Sequence, residues 1–229
     1  MKDLIEDIRK KEFQKVYLLC GEEPYLRQLY KKKLTEAVLP EGDTMNLSVY
    51  TGKNVDPKAV IDQAETMPFF ADKRLILLED TGFFKNASPE LADYIKSMPD
   101  TTCMVFVEEE VDKRSKMYKT VKNNGKIVEF SAQSEELLTR WILTRLKKEG
   151  KNITGSVMQL FLSRTGTDMG NIDRELEKLI CYALDRDVIT AEDVMAVTTE
   201  QTTNKIFEMV NAIAEHNQRK ALDLYYDLL

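Results

Sequence analysis

Five short apolar runs, separated by helical patterns, constrain this chain more than any other feature. They are Val16 to Cys20, Leu47 to Tyr50, Leu75 to Leu78, Cys103 to Val107 and Ile127 to Phe130. Each is rich in branched residues and too short for a helix, so each reads as a strand buried on both faces. Between them, helical periodicity covers Pro24 to Val38, Pro57 to Thr66, Pro89 to Ser97 and about Lys113 to Lys122. Strand and helix in alternation predict a doubly wound parallel sheet, so residues 1–131 are expected to form one α/β domain.

From Ser134 onward the strand signal vanishes. Helical patterns run over Ser134 to Glu149, Gly155 to Ser163 and Asn171 to Leu184, and Thr190-Ala191-Glu192-Asp193 opens another with a capping-box start. Residues 132–203 therefore read as a small helical lid domain. After the polar stretch Thr198 to Asn204, residues 204–229 read as the beginning of a further helical domain. Its last apolar face, Leu222, Tyr225 and Leu229, lacks a partner within the sequence, as expected of a chain cut inside that domain.

Charge narrows the functional classes. With 33 basic and 39 acidic residues the net charge is -6, which argues against holding duplex DNA alone through a broad basic face. A protein partner is expected first. The N-terminal MKDLIEDIRKKEF carries no apolar core of a leader, and no stretch approaches the roughly 20 apolar residues of a membrane span. The expected compartment is the cytoplasm. Two of three cysteines, Cys20 and Cys103, sit inside strands as small hydrophobes, and the single histidine, His216, lies in a polar stretch, leaving little for a metal site or a histidine triad.

A sheet followed by a small helical domain is the layout of AAA+ ATPases, so the loop after the first strand is the place to look for nucleotide chemistry. Counting from Gly21 through GEEPYLRQ, the second glycine of a phosphate loop is replaced by Leu26, its lysine by Arg27 and its magnesium hydroxyl by Gln28. Glu22 and Glu23 would face the anion with like charge. No cofactor and no ATP hydrolysis are expected. LILLED, Leu75 to Asp80, imitates a magnesium-binding strand end, but VFVEEE, Val105 to Glu110, repeats the pattern, and both read better as solvated strand ends. In GNIDRELEKL, Gly170 to Leu179, Arg174 and Lys178 are of the type that reaches a nucleotide, yet Ile172, Leu176 and Leu179 make an ordinary buried stripe, with Asp173, Arg174, Glu177 and Lys178 as (i, i+4) pairing residues, and the helix reads as structural.

Met67-Pro68-Phe69-Phe70-Ala71, between the helix from Pro57 and the strand from Arg74, holds two adjacent aromatics after a proline. Such a pair either enters a partner's apolar groove or packs under the sheet edge, and residue physics alone leaves both open.

Taken in order, Tyr17 to Gln28, Glu65 to Leu78, Glu129 to Ile142, Gly170 to Leu179, Val188 to Val194 and the closing NKIFEMVNAI and KALDLYYDLL segments resemble the delta family of bacterial DNA polymerase III clamp loaders over essentially the whole chain. The resemblance implies an AAA+-like fold without a working phosphate loop and a helical collar that begins near residue 204. It also implies a hydrophobic plug for the sliding clamp at Met67, Pro68, Phe69 and Phe70, in preference to Phe83-Phe84. Implied partners are the clamp (beta subunit) and the ATPase and delta-prime subunits, with DNA met only within the complex. No small-molecule substrate is implied, and such proteins count as part of a DNA-directed DNA polymerase. Two readings from other classes compete: an AAA+ nucleotide-binding enzyme with an atypical loop, and a DNA-binding module using Lys31-Lys32-Lys33 or Lys147-Lys148.

Overall fold

The computed structural model describes residues 1–86, 88–199, 209, 210, 212–214 and 217–226. His216, Leu229 and the boundary near residue 204 lie outside them. Two compact units divide the chain, Met1–Ala132 and Gln133–Leu229.

The first unit is a five-stranded parallel sheet. In chain order it runs α1 (Lys2–Lys10), β1 (Val16–Cys20), α2 (Pro24–Val38), β2 (Leu47–Thr51), α3 (Pro57–Glu65), β3 (Arg74–Glu79), α4 (Pro89–Tyr94), β4 (Thr102–Glu108), α5 (Lys116–Asn124) and β5 (Lys126–Glu129). The spatial order is β2-β3-β4-β1-β5, with Leu18 opposite Phe106 on one side and Ile127 on the other. β1 and β4 are buried along their whole length, whereas the edge strand β2 is only partly covered. This is why their sequences are continuous apolar runs rather than alternations. Alternate residues of β1 serve the two faces: Val16, Leu18 and Cys20 join Phe84, Phe106, Leu91 and Val121 in one core, and Tyr17 turns the other way, where its hydroxyl donates to Asp7 of α1 (2.9 Å). Lys126 of β5 reaches the same carboxylate at 2.6 Å, so α1 is tied to the sheet by a shared acid. Proline opens α2, α3 and α4 where its missing N–H costs nothing.

The second unit holds α6 (Glu135–Lys148), β6 (Asn152–Ile153), α7 (Gly155–Thr165), α8 (Met169–Tyr182), β7 (Val188–Ile189) and α9 (Ala191–Val197), with α10 (Gln218–Tyr226) further on. Its expected lack of strands needs correction: β6 and β7 form a two-residue parallel ladder, Asn152 to Val188 and Ile153 to Ile189. A pair that short has no periodicity to detect. The capping box at Thr190 is present, with Asp193 accepting from the Thr190 N–H at 2.9 Å. Ile172, Leu176 and Leu179 are buried as expected. The charged partners differ from those expected: Asp173 pairs with Arg145 of α6 (3.4 Å) and Lys178 with Glu175 (2.6 Å).

Lys151, just before β6, is buried, and its ammonium donates to the carbonyls of Ala183, Leu184 and Arg186 at 2.8 to 2.9 Å. It thus adds a donor to the carbonyls of the turn that follows α8, where Ala183 also accepts from Arg186 N–H at 3.0 Å. Lys151→Met keeps the stem and removes the charge, taking that donor from the Leu184 and Arg186 carbonyls. The expected loss is about 2–3 kcal/mol, read by urea unfolding through the fluorescence of Trp141, the chain's single tryptophan.

Candidate functional site

In a doubly wound sheet, ligands gather outside the carboxyl ends of the strands, where connections diverge to opposite faces. Here β1 ends at Cys20 and α2 starts at Pro24, leaving three residues, Gly21 to Glu23. Two of their main-chain donors are engaged: Gly21 N–H donates to the Glu109 carbonyl (3.3 Å) and Glu23 N–H to the Phe130 carbonyl (3.1 Å). The Glu23 carboxylate caps α2 by accepting from Tyr25 N–H at 3.2 Å. An anion cradle needs free N–H groups and a loop long enough to wrap the phosphate. This connection instead presents a carboxylate to the helix N-terminus. Arg27, at the position of a phosphate-loop lysine, lies buried on α2 beside Leu26.

The acidic strand ends behave differently from expectation. Glu79 is half-buried and pairs with Lys31 (2.9 Å). Glu108 is buried rather than solvated: it accepts from Thr81 N–H (2.9 Å), Thr81 Oγ1 (2.6 Å) and Gly82 N–H (3.3 Å), and so organises the turn after β3. Burial pushes its carboxyl above the ordinary glutamate range, with the hydrogen bonds from Thr81 and Gly82 pulling the other way. A raised folded-state pKa adds stability that is complete below the unfolded pKa of about 4.3 and is lost as pH rises through the folded value. Glu108→Gln should abolish that segment, so the variant's stability relative to the parent should climb with pH across the window. Urea midpoints measured from pH 3.5 to 7 check this.

The loop from Thr66 to Lys73 leaves three large apolar side chains in water within four residues. α3 ends at Glu65, its C-cap Thr66 has an extended backbone, and the proline that follows at 68 prevents any continuation. Met67 is 74% exposed, Phe69 57% and Phe70 94%. The two rings meet edge to face, with centroids 4.5 Å apart, and Phe70 sits at φ 50. A left-handed aromatic residue costs about 1–2 kcal/mol, so its surroundings must hold it. Asn46 and Arg74 do. Phe69 N–H donates to Asn46 Oδ1 (2.6 Å) and Asn46 Nδ2 donates to the Phe69 carbonyl (2.9 Å). Arg74 Nε and Nη2 donate to the Thr66 and Met67 carbonyls at 3.1 and 3.3 Å.

The competing aromatic pair is placed elsewhere. Phe83 and Phe84 are buried in the core, Phe84 edge to face with Phe106 at 5.2 Å. The basic run is largely spent on neighbours: Lys31 on Glu79, Lys32 near Glu36 at 3.9 Å, and Lys33 5.1 Å over the Tyr30 ring. Lys147 and Lys148 occupy the last turn of α6, where the helix dipole favours cations. Among the described residues, no group of three or more His, Cys, Asp or Glu side chains is placed to hold a metal, and no helix is long and apolar enough to cross a membrane.

The family model for the DNA polymerase III delta subunit matches residues 17–131, half of the chain and nearly all of the first unit. The chain belongs to the DNA polymerase III delta subunit family. It is 28% identical to the DNA polymerase III subunit delta of Bacillus subtilis over a 239-residue alignment covering 99% of this chain and 69% of that protein. The probable delta subunit of Aquifex aeolicus is 24% identical, with 94% and 64% covered. Among solved structures, the Bacillus subtilis DNA clamp loader delta protein (YqeN) superposes with a TM-score of 0.72 at 26% identity, covering 99% of this chain and 70% of that one. A Thermotoga maritima RuvB structure shares the fold alone, with a TM-score of 0.52 at 13% identity over 85% of this chain and 64% of that one. The matched delta-family region contains both the closed connection after β1 and the aromatic loop.

Asn46 and Arg74 escaped the sequence reading. Each is a polar residue flanking an apolar strand, a pattern too common to single them out.

Proposed function

We propose that this chain is the clamp-binding part of a delta subunit. It works in the cytoplasm and engages the sliding clamp through Met67, Pro68, Phe69 and Phe70, helping to open the ring for loading onto primed DNA without hydrolysing ATP itself. The observation that carries the reading is the aromatic pair held in water on a strained, braced loop. Two rings that fold stability does not require to be buried are suited to an apolar groove on a partner. Ring opening then follows from differential binding: a ligand that favours the open or strained clamp shifts that equilibrium by its affinity ratio, with no chemistry of its own. Partner subunits, the loader's ATPase and delta-prime proteins, would supply hydrolysis and timing.

Calorimetric titration of the folded chain into a bacterial sliding clamp tests the proposal. Saturable binding supports it; the absence of heat or of any complex at tens of micromolar sinks it.

A further inference from the structure

Two exposed aromatic rings, the second carried by a left-handed residue, would gain by collapsing onto the protein, so whatever prevents collapse also sets how ready they are for a partner. Asn46 is 1% exposed and grips both main-chain groups of Phe69, the exchange that a neighbouring strand residue would otherwise make. It is fixed in turn from two sides. Asp43 accepts from its Nδ2 (2.7 Å) and from its N–H (3.1 Å), and Leu75 of β3 donates to its carbonyl at 2.8 Å. The loop is thereby referenced to the sheet. Arg74, itself the first residue of β3 and buried, holds the preceding two carbonyls, those of Thr66 and Met67. Neither side chain offers surface to a partner; both act on the backbone that carries the rings.

We propose that Asn46 and Arg74 are positioning residues for clamp binding, holding Phe69 and Phe70 in the geometry that the partner groove receives, so that the loop need not order on binding. This rests on the clamp-binding reading of the loop. When only a fraction of molecules is competent, the apparent Kd rises by the inverse of that fraction. Releasing the loop to about one tenth occupancy therefore weakens binding about tenfold with both rings still present.

Asn46→Asp is the sharpest variant, since it keeps shape and the acceptor for Phe69 N–H but turns an oxygen toward the Phe69 carbonyl and Asp43. Arg74→Lys keeps charge and loses the two-carbonyl bridge. Each is titrated against a bacterial sliding clamp, alone and in a Phe70→Ala background, after its fold is checked by circular dichroism. The expected result is a loss of roughly tenfold for Asn46→Asp in the parent and under about threefold in the Phe70→Ala background, because a loop without its leading ring gains little from being held. Arg74→Lys should follow the same pattern and decides the matter if Asn46→Asp does not fold. Binding within about twofold of the parent, or an equal loss in both backgrounds, overturns the positioning role while leaving the clamp reading intact. No binding by the folded parent overturns both.

Discussion

Alanine at both Phe69 and Phe70 is expected to weaken clamp binding by about 3 kcal/mol or more, over a hundredfold in Kd, while leaving the fold untouched. The affinity side follows from area, since each ring that moves from water into an apolar groove contributes roughly 1.5–3 kcal/mol. Phe70 should dominate, because it is 94% exposed against 57% for Phe69 and has more surface to transfer. The stability side follows from the same numbers. Rings already in water contribute little to folding, so the thermal midpoint should stay within about 2 °C of the parent. Alanine at Phe83 or Phe84 is the contrasting control: both lie in the core, and losing either should cost about 3–5 kcal/mol of stability. Surface resonance against immobilised clamp, paired with thermal melts, separates the two effects. A double variant that binds like the parent would remove the aromatic pair from consideration.

Gly21→Ala should destabilise the first unit by about 3 kcal/mol or more, although the residue stands where a phosphate loop begins and no phosphate is needed to explain it. Gly21 has φ 115, outside the range that alanine adopts. A Cβ there would lie 2.8 Å from Phe130 N and 2.9 Å from its carbonyl carbon, and nearer still to the oxygen. Phe130 cannot give way easily. Its N–H donates to the Cys20 carbonyl (2.7 Å), its own carbonyl accepts from Glu23 N–H, and its ring stacks on Tyr30 at 5.4 Å. The glycine is thus required by one backbone crossing closely over another. Glu22→Ala, at an exposed neighbour, should change stability by no more than about 0.5 kcal/mol. Urea denaturation of both variants tests the pair of expectations, and a Gly21→Ala protein as stable as the parent would refute the packing account.

The sheet was legible because parallel strands covered on both faces must be apolar throughout, and such runs between prolines and polar turns leave little choice of element. All five strands fall within about two residues of their sequence-based limits. The helical unit was legible from periodicity, apart from β6 and β7, whose two-residue pairing leaves no pattern. The mismatch with a phosphate-loop pattern could be read directly from Leu26, Arg27 and Gln28. Its physical form, a three-residue connection closed against Phe130, could not.

The aromatic loop divides along the same line. Local chemistry identifies the proline that ends α3 and the adjacent rings that follow it, but not whether those rings face water or the sheet. That was decided by Asn46, 23 residues before Phe69 and bonded to its main chain, and by the burial of Phe83 and Phe84 in the core. Glu108 shows the same dependence, since the Thr81 and Gly82 donors that make it a buried acceptor come from another strand's turn. Covering apolar surface and starting or stopping helices depend on neighbours along the chain, which is why the α/β sheet, the helical unit and the departure of Leu26, Arg27 and Gln28 from a phosphate-loop pattern can be read from the order of residues alone. The exposure of Phe69 and Phe70, the bracing by Asn46 and Arg74 and the burial of Glu108 depend on polar partners brought close only by folding, and those the tertiary structure alone decided.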